Sequence, residues 1–164
     1  MNILALDLGT KTGWALNGAD GVVTGTETLG TREDIRAAHV SRLDRRCDPR
    51  IPKLHQFLLT QIQNYKINLL VFEDVLFAST RMQAHLWASL RAAAWIAGSI
   101  TGCQIDCLNT VALKKYASGH ASATKETMAA ALKKIAPGLD FSMLDDNMID
   151  AIWLWRWAGE QYGI

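Results

Sequence analysis

The chain has 164 residues, 49% apolar and 20% charged, with a formal net charge of +1. This size suits a single domain spanning residues 1–164 with a real core, and the composition excludes a disordered polyelectrolyte. No apolar run reaches the roughly 18 residues that span a bilayer, and Met1–Leu8 lacks the basic start and long apolar centre of a signal peptide, so a cytoplasmic location is the default expectation.

In chain order, Asn2–Leu8 is a short apolar run containing Asp7, followed by Gly9, Thr10, Lys11, Thr12 and Gly13 and then by Trp14, Ala15 and Leu16. This reads as strand, tight turn, strand, with glycines where the backbone turns or is closely approached. Gly18–Gly21 is a second turn signal and Val22–Leu29, rich in Val and Thr, a third strand, so an antiparallel meander opens the chain. Arg32–Tyr65 is helical in character but interrupted around Pro49 and Pro52, which predicts a break and then a helix over Lys53–Asn64. Ile67–Val75 has the length and apolarity of a strand buried on both faces, as central parallel strands are. Ser79–Ile100 is a long Ala-rich helix capped by Ser79 or Thr80. Gln104–Leu108 is a short strand, and Asn109 or Thr110 caps a helix to about Tyr116. After a loop at Ser118–Ser122, Thr124 caps a helix ended by Pro137 and Gly138, and Asp145–Tyr162 forms the last. The expected architecture is α/β, a mixed five-stranded sheet flanked by helices.

The cysteines Cys47, Cys103 and Cys107 are odd in number, and no second pair or nearby histidine completes a metal site, so they read as buried free thiols. Charge is unevenly spread. Residues 32–53 carry seven basic against four acidic side chains, Lys114, Lys115, Lys125, Lys133 and Lys134 form a second basic group, and Asp145, Asp146 and Asp150 an acidic one. A nuclease that holds cations on carboxylates and phosphates on lysines shows such a split; solvated helix faces are the alternative for each group. Segment 32–53 reads as a DNA-contacting arm or as a merely solvated basic stretch.

Four acids sit where this outline brings them together. Asp7 lies near the end of the first strand and Glu73 near the end of the central one. Asp146 and Asp150 are four apart on one face of the last helix, whose apolar stripe Trp153, Leu154 and Trp157 is expected to pack on the sheet. Clustered ionised carboxylates repel unless cations neutralise them. Hard oxygen ligands suit Mg²⁺ or Mn²⁺, two of which can drive phosphodiester hydrolysis. Each acid also has a plainer reading: Asp7 capping the glycine turn, Glu73 and Asp74 as surface charges, Asp145 or Asp146 as helix caps. That reading is weakest for Asp150, inside an apolar face.

These residues resemble a known family. Ile3–Gly9 followed by Thr12, Gly13, Trp14 and Ala15, then Phe72 and Glu73, then Asp146–Ala151, look like successive catalytic motifs of the RuvC-type Holliday junction resolvases, members of the RNase H-like superfamily. The most specific piece is Lys114, Gly119, Ala123 and Lys125, which reproduces the family's basic loop of a lysine, a glycine five residues on and a second lysine eleven residues on. The resemblance covers nearly the whole chain. It implies that Asp7, Glu73, Asp146 and Asp150 bind two divalent ions, that Lys114 and Lys125 hold the scissile phosphate region as catalytic groups, and that Lys115 and Gly119 belong to the nucleic-acid surface. Many members have an acid or histidine three residues before the last aspartate, where this chain has Asn147. Asp146 is therefore taken as the ligand, with Asn147 or Asp145 as substitutes. Ala121 replaces a second loop glycine. Phe77 stands one residue beyond the position of a junction-stacking aromatic, held here by Leu76, and reads as a junction wedge or a core side chain.

The activity so implied is paired, symmetric nicking of four-way DNA by a homodimer, with helix 79–100 as the candidate interface and Trp87 and Trp95 as interface or core residues. An RNA substrate is the near alternative, since the opening motif also resembles RuvC-like RNA-processing nucleases. Actin-like ATPases and sugar kinases open similarly, but they need two such domains and a Gly-rich adenosine segment, so no nucleotide cofactor is expected. A catalytically silent junction-binding protein would have no use for four clustered acids that repel DNA.

Overall fold

The computed structural model describes residues 1–19, 21–34, 36, 48–75 and 77–164. Its strands are β1 (Ile3–Asp7), β2 (Lys11–Gly18), β3 (Gly21–Thr28), β4 (Leu69–Asp74) and β5 (Gln104–Asn109). They form a five-stranded sheet in the order β3-β2-β1-β4-β5. The opening meander is antiparallel, whereas β4 and β5 run parallel to β1, so the ends of β1, β4 and β5 share one edge of the sheet. The helices are α1 (Arg50–Tyr65), α2 (Arg81–Thr101), α3 (Thr110–Ser118), α4 (Lys125–Ile135) and α5 (Asp146–Tyr162).

Period-2 alternation along β1 and β4 divides the core in two. Leu4, Leu6, Leu70 and Phe72 pack with Leu54 and Leu58 of α1 and Leu90, Ala94 and Ala97 of α2. Ile3, Ala5, Leu69 and Val71 pack with Leu113 of α3, Met128 and Leu132 of α4, and Ile149, Ile152 and Leu154 of α5. Full burial of each such Leu or Ile stabilises by about 1.5–3 kcal/mol, so the two central strands are held rigidly from both sides.

The helix starts follow the capping residues. Thr80, Asn109, Thr124 and Asp145 each accept a hydrogen bond from the backbone N–H three residues on, in Gln83, Ala112, Thr127 and Met148 respectively. α1 begins at Arg50, earlier than the sequence predicts, because Pro52 falls in the first turn, where no intrahelical N–H is required of it. Arg50 ties that turn down by ion-pairing with Asp48 and donating to Thr10 Oγ1 at 2.8 Å. Residues 37–47, in the middle of the predicted basic segment, lie outside the described residues, as does Cys47.

Cys103 is buried and its thiol donates to the Ile67 carbonyl at 2.9 Å; Cys107 is also free but only half-buried, at the rim of the α1–α2 core beside Ile105. The expectation of full burial is thus corrected for Cys107, because β5 is an edge strand. Among the described residues no helix is long and apolar enough to cross a membrane.

Candidate active site

Asp7 continues the Ile3, Ala5 alternation and Glu73 continues Leu69, Val71, so both carboxylates leave their strands on the α5 side. Leu6 is in register with Phe72, which sets the two acids beside each other at the ends of parallel neighbours. Asp150 comes from α5 across this edge. Carboxylate oxygens of Asp7, Glu73 and Asp150 all lie within 4.8 Å of one another.

The approach of α5 is what completes the group. A Cβ on Gly13 would lie 2.1 Å from the Asn147 carbonyl oxygen, so the helix start docks onto β2 through a contact that only glycine permits. Asp145 clamps the same point. It caps α5 through Met148 N–H at 2.9 Å, pairs with Lys11 Nζ at 2.7 Å and accepts from Thr26 Oγ1 at 2.9 Å. Partial burial opposes ionisation of Asp145, but these donors hold its carboxyl below the usual carboxylate range. Of the two substitutes considered for Asp146, Asp145 is thus engaged by its own cation, and Asn147 packs its backbone and Cβ on Gly13.

Asp146 itself stands apart from the three clustered acids. Its side chain is 62% exposed, against 15% for Asp150, and its Oδ2 lies 3.5 Å from Lys125 Nζ, which is also 4.0 Å from Asp150 Oδ2. Helical spacing put 146 and 150 on one face correctly, but at the helix start the Asp146 side chain stays toward solvent beside half-exposed Lys125. Farther along, Trp153 packs sideways, donating to the Met128 carbonyl at 3.1 Å and meeting Tyr116 edge-on, while Leu154 is fully buried and Trp157 half-buried against the same core.

The electrostatics are those of crowded anions. Burial, followed by the Glu73 and Asp150 charges, pushes Asp7 well above the usual carboxylate range, with Lys125 opposing. Burial, then Glu73, pushes Asp150 up to about 6 against the pull of Lys125 and Lys114. A cavity of about 250 Å³ opens over the acids, bordered by Asp7, Glu73, Asp150, Thr110, Lys114 and Lys125. A larger one, about 350 Å³, lies on the other side of Glu73 beside Trp87, but its acid, Asp74, is paired with Arg91 at 2.6 Å.

The remaining predicted site residues fall around this centre. Lys115 is exposed and outside the cavity lining. Gly119 terminates α3 with φ +82°, its N–H bonded to the Lys115 carbonyl, so the loop glycine has a backbone reason for its identity. Phe77 is 87% exposed, which removes the core reading for it. Leu76 lies outside the described residues. Thr110, read from the sequence only as a possible helix cap, borders the cavity one turn before Lys114, and its Oγ1 is buried without a hydrogen-bond partner. The spacing of 110 and 114 was the available signal.

The strand order, with an antiparallel meander leading into two parallel strands and helices on both faces, defines an RNase H-like fold. Two solved structures of Thermus thermophilus RuvC share it. One, in complex with a Holliday junction substrate, superposes with a TM-score of 0.72 at 19% identity over 94% of this chain and 90% of that one. The other gives 0.71 at 17% identity over 99% and 97%. The yeast mitochondrial Holliday junction resolvase Ydc2 gives 0.57 at 13% identity, over 98% of this chain and 80% of that one. No protein-family model and no curated protein sequence matches the chain.

Proposed function

We propose that the chain is a metal-dependent, structure-selective endonuclease that resolves four-way DNA junctions by paired symmetric nicks. One juxtaposition carries the reading: the Asp7, Glu73 and Asp150 carboxylates gathered within 4.8 Å beside Lys114 and Lys125. It sits on a fold shared with a RuvC solved on a Holliday junction substrate.

The donor set fits divalent cations. Carboxylate oxygens are the hard ligands that Mg²⁺ and Mn²⁺ prefer, and the repulsion that raises Asp7 and Asp150 is relieved by cations as well as by protons. Asp7, Glu73 and Asp150 would hold two ions, with Asp146 as a further oxygen donor once Lys125 turns from it toward phosphate. When bound, such ions neutralise the cluster, activate the attacking water and stabilise charge on the leaving oxygen.

The chain's own residues do the rest. Lys114 and Lys125 bind and orient the scissile phosphodiester over the carboxylates. Water attacks phosphorus and the bond to the 3′ oxygen breaks, leaving a 5′ phosphate and a 3′ hydroxyl, the outcome the family resemblance implies. Lys115 and the Gly119 turn lie along the flanking backbone, and exposed Phe77 is the wedge at the crossover. Recognition rests on phosphate positions and junction shape, since the sequence has no base-reading helix motif. Two symmetric nicks require two sites, hence a homodimer. α2 supplies a surface for it: Ile96 and Ile100, one turn apart near the end of that helix, are 52% and 68% exposed, an apolar patch suited to a second copy.

The test is cleavage of a labelled four-way junction beside linear duplex and an RNA–DNA hybrid, in Mg²⁺ or EDTA, with Asp7→Asn alongside. Paired, metal-dependent nicks in the junction alone, lost in the variant, are expected. Cutting of the hybrid or simple duplex instead removes the junction assignment and keeps the nuclease; no cutting at all removes both.

A further inference from the structure

Among the described residues three buried side-chain atoms lack a hydrogen-bond partner: His55 Nε2, Arg156 Nε and Thr110 Oγ1. Thr110 is the one that borders the cavity over Asp7, Glu73 and Asp150. A buried hydroxyl without a partner is destabilising, and native proteins retain few of them. Val75, Leu113 and Met128 are the apolar part of the same wall, and Asn109, the residue before Thr110, spends its own side chain capping α3 through Ala112 N–H at 2.9 Å. The cap that sequence grammar offered equally to Thr110 is therefore filled, and the Thr110 hydroxyl remains unspent.

Position matters as much as the missing partner. Thr110 and Lys114 are one turn apart on α3, so their side chains share a helix face, and both border the cavity. Threonine in a helix uses two χ1 wells, and rotation between them re-aims the hydroxyl without moving the backbone. A ligand that places an anionic oxygen between Lys114 and the carboxylates lies within reach of that face.

We propose that Thr110 is a further substrate-contacting residue, whose hydroxyl donates a hydrogen bond to a non-bridging oxygen of the scissile phosphate held by Lys114 and Lys125. The assignment rests on the phosphodiesterase reading above. It adds a neutral donor to a seat otherwise made of ammonium groups, and a donor that points in one direction fixes the orientation of the phosphate, which a rotating lysine does not.

The experiment compares wild type, Thr110→Val and Thr110→Ser in single-turnover cleavage on whichever substrate wild type cuts, with a Mn²⁺ titration and thermal unfolding of each. Val keeps the shape and removes the hydroxyl. The expected result is a rate lowered about ten- to hundredfold in Thr110→Val at saturating metal. Thr110→Ser should stay within about threefold of wild type, and the Tm of the Val variant should be unchanged or raised, because an unpartnered hydroxyl has gone. A Val variant that cuts as fast as wild type overturns the proposal. So does one whose lost rate returns at higher Mn²⁺, which would place the hydroxyl's action on the carboxylates, and so does a lowered Tm that Ser fails to restore. Wild type that cuts no nucleic acid sinks the nuclease reading itself, an outcome distinct from all of these.

Discussion

Two sets of carboxylates occupy the same end of this sheet and are treated in opposite ways. Asp74 has Arg91 at 2.6 Å and Asp145 has Lys11 at 2.7 Å, so each of these acids carries its own cation. Asp7, Glu73 and Asp150 instead face one another, with their nearest cation, Lys125, half-exposed and 4.0 Å from Asp150 Oδ2. Glu73 and Asp74 are adjacent in sequence, yet strand alternation sends one to the α5 face and the other to α2. Paired acids are what a fold needs to remain stable at a charged edge. A buried cluster of like charges destabilises the empty protein, and its retention points to a ligand that reverses the sign.

The sharpest way to break the comparison is to neutralise one acid from each set. Asp7→Asn, Glu73→Gln and Asp150→Asn should each lower junction cleavage at least about a thousandfold, the several kcal/mol attributed to metal-assisted charge stabilisation. Asp74→Asn should leave cleavage within about tenfold while weakening the hold on α2. Asp146→Asn, at the mouth, should fall between. Equal losses for Asp74 and Asp150 would erase the distinction drawn here. The measurement is single-turnover rate at saturating Mg²⁺.

A second test addresses how the cluster is assembled. Gly13→Ala places a Cβ where the Asn147 carbonyl oxygen now lies 2.1 Å away, so α5 must lift from β2. The expected cost is about 3 kcal/mol in chemical denaturation, at the upper end of overpacking changes, because backbone rather than a flexible side chain must yield. Lifting α5 also withdraws Asp150, so metal affinity should drop with stability. Of the paired acids, Asp74 lies on β4 and would be untouched, whereas Asp145, the cap of α5, would shift with the helix.

What the sequence disclosed follows the same division. The apolar runs Asn2–Leu8 and Ile67–Val75, and the capping residues Thr80, Thr124 and Asp145, were enough to place those strands, the helices and the acids near their ends. These are local signals. Depth was not legible: 146 and 150 share a face, yet one is 62% and the other 15% exposed, because burial depends on what packs over each turn of α5. Nor was the partner of Gly13, 134 residues away at Asn147, which depends on long-range packing; for Thr110 the spacing to Lys114 signalled a shared helix face but not a hydroxyl left without a partner. Phe77 shows the reverse case: aromatic character argued for the core, and the structure left it 87% exposed.

The clustered set also predicts a pH dependence. Asp150 titrates at about 6 in the folded chain, above the roughly 3.9 of an unfolded aspartate. Between those values the folded state keeps a proton that the unfolded state has released. Metal-free stability from this group is therefore greatest below about pH 4, declines as pH rises to about 6 and is flat above. The raised Asp7 adds a change of the same sign. Metal-free Asp150→Asn should accordingly be more stable than wild type by about 2 kcal/mol at pH 7.5, the gap closing toward pH 4. Millimolar Mn²⁺ should raise the Tm of wild type and much less that of the variant. A variant less stable than wild type at pH 7.5 without metal would mean the cluster is not strained.

The smallest effect belongs to the paired set and has the opposite pH sign. Asp145 is held below the usual range by Lys11, the Met148 N–H and Thr26, against partial burial, so its contribution is present at neutral pH and lost as pH falls through the acid range below about 4. Asp145→Ala removes an N-cap and an ion pair that is 53% exposed on the Lys11 side, so about 1–2 kcal/mol is expected, most of it from the cap. Asp145→Asn keeps a capping oxygen and should recover most of the loss, separating the cap from the charge. Because α5 loosens at its first turn while the Gly13 contact remains, cleavage should decline less than tenfold. A loss as large as that of Asp150→Asn, with the fold intact by thermal unfolding, would move Asp145 from clamp to ligand.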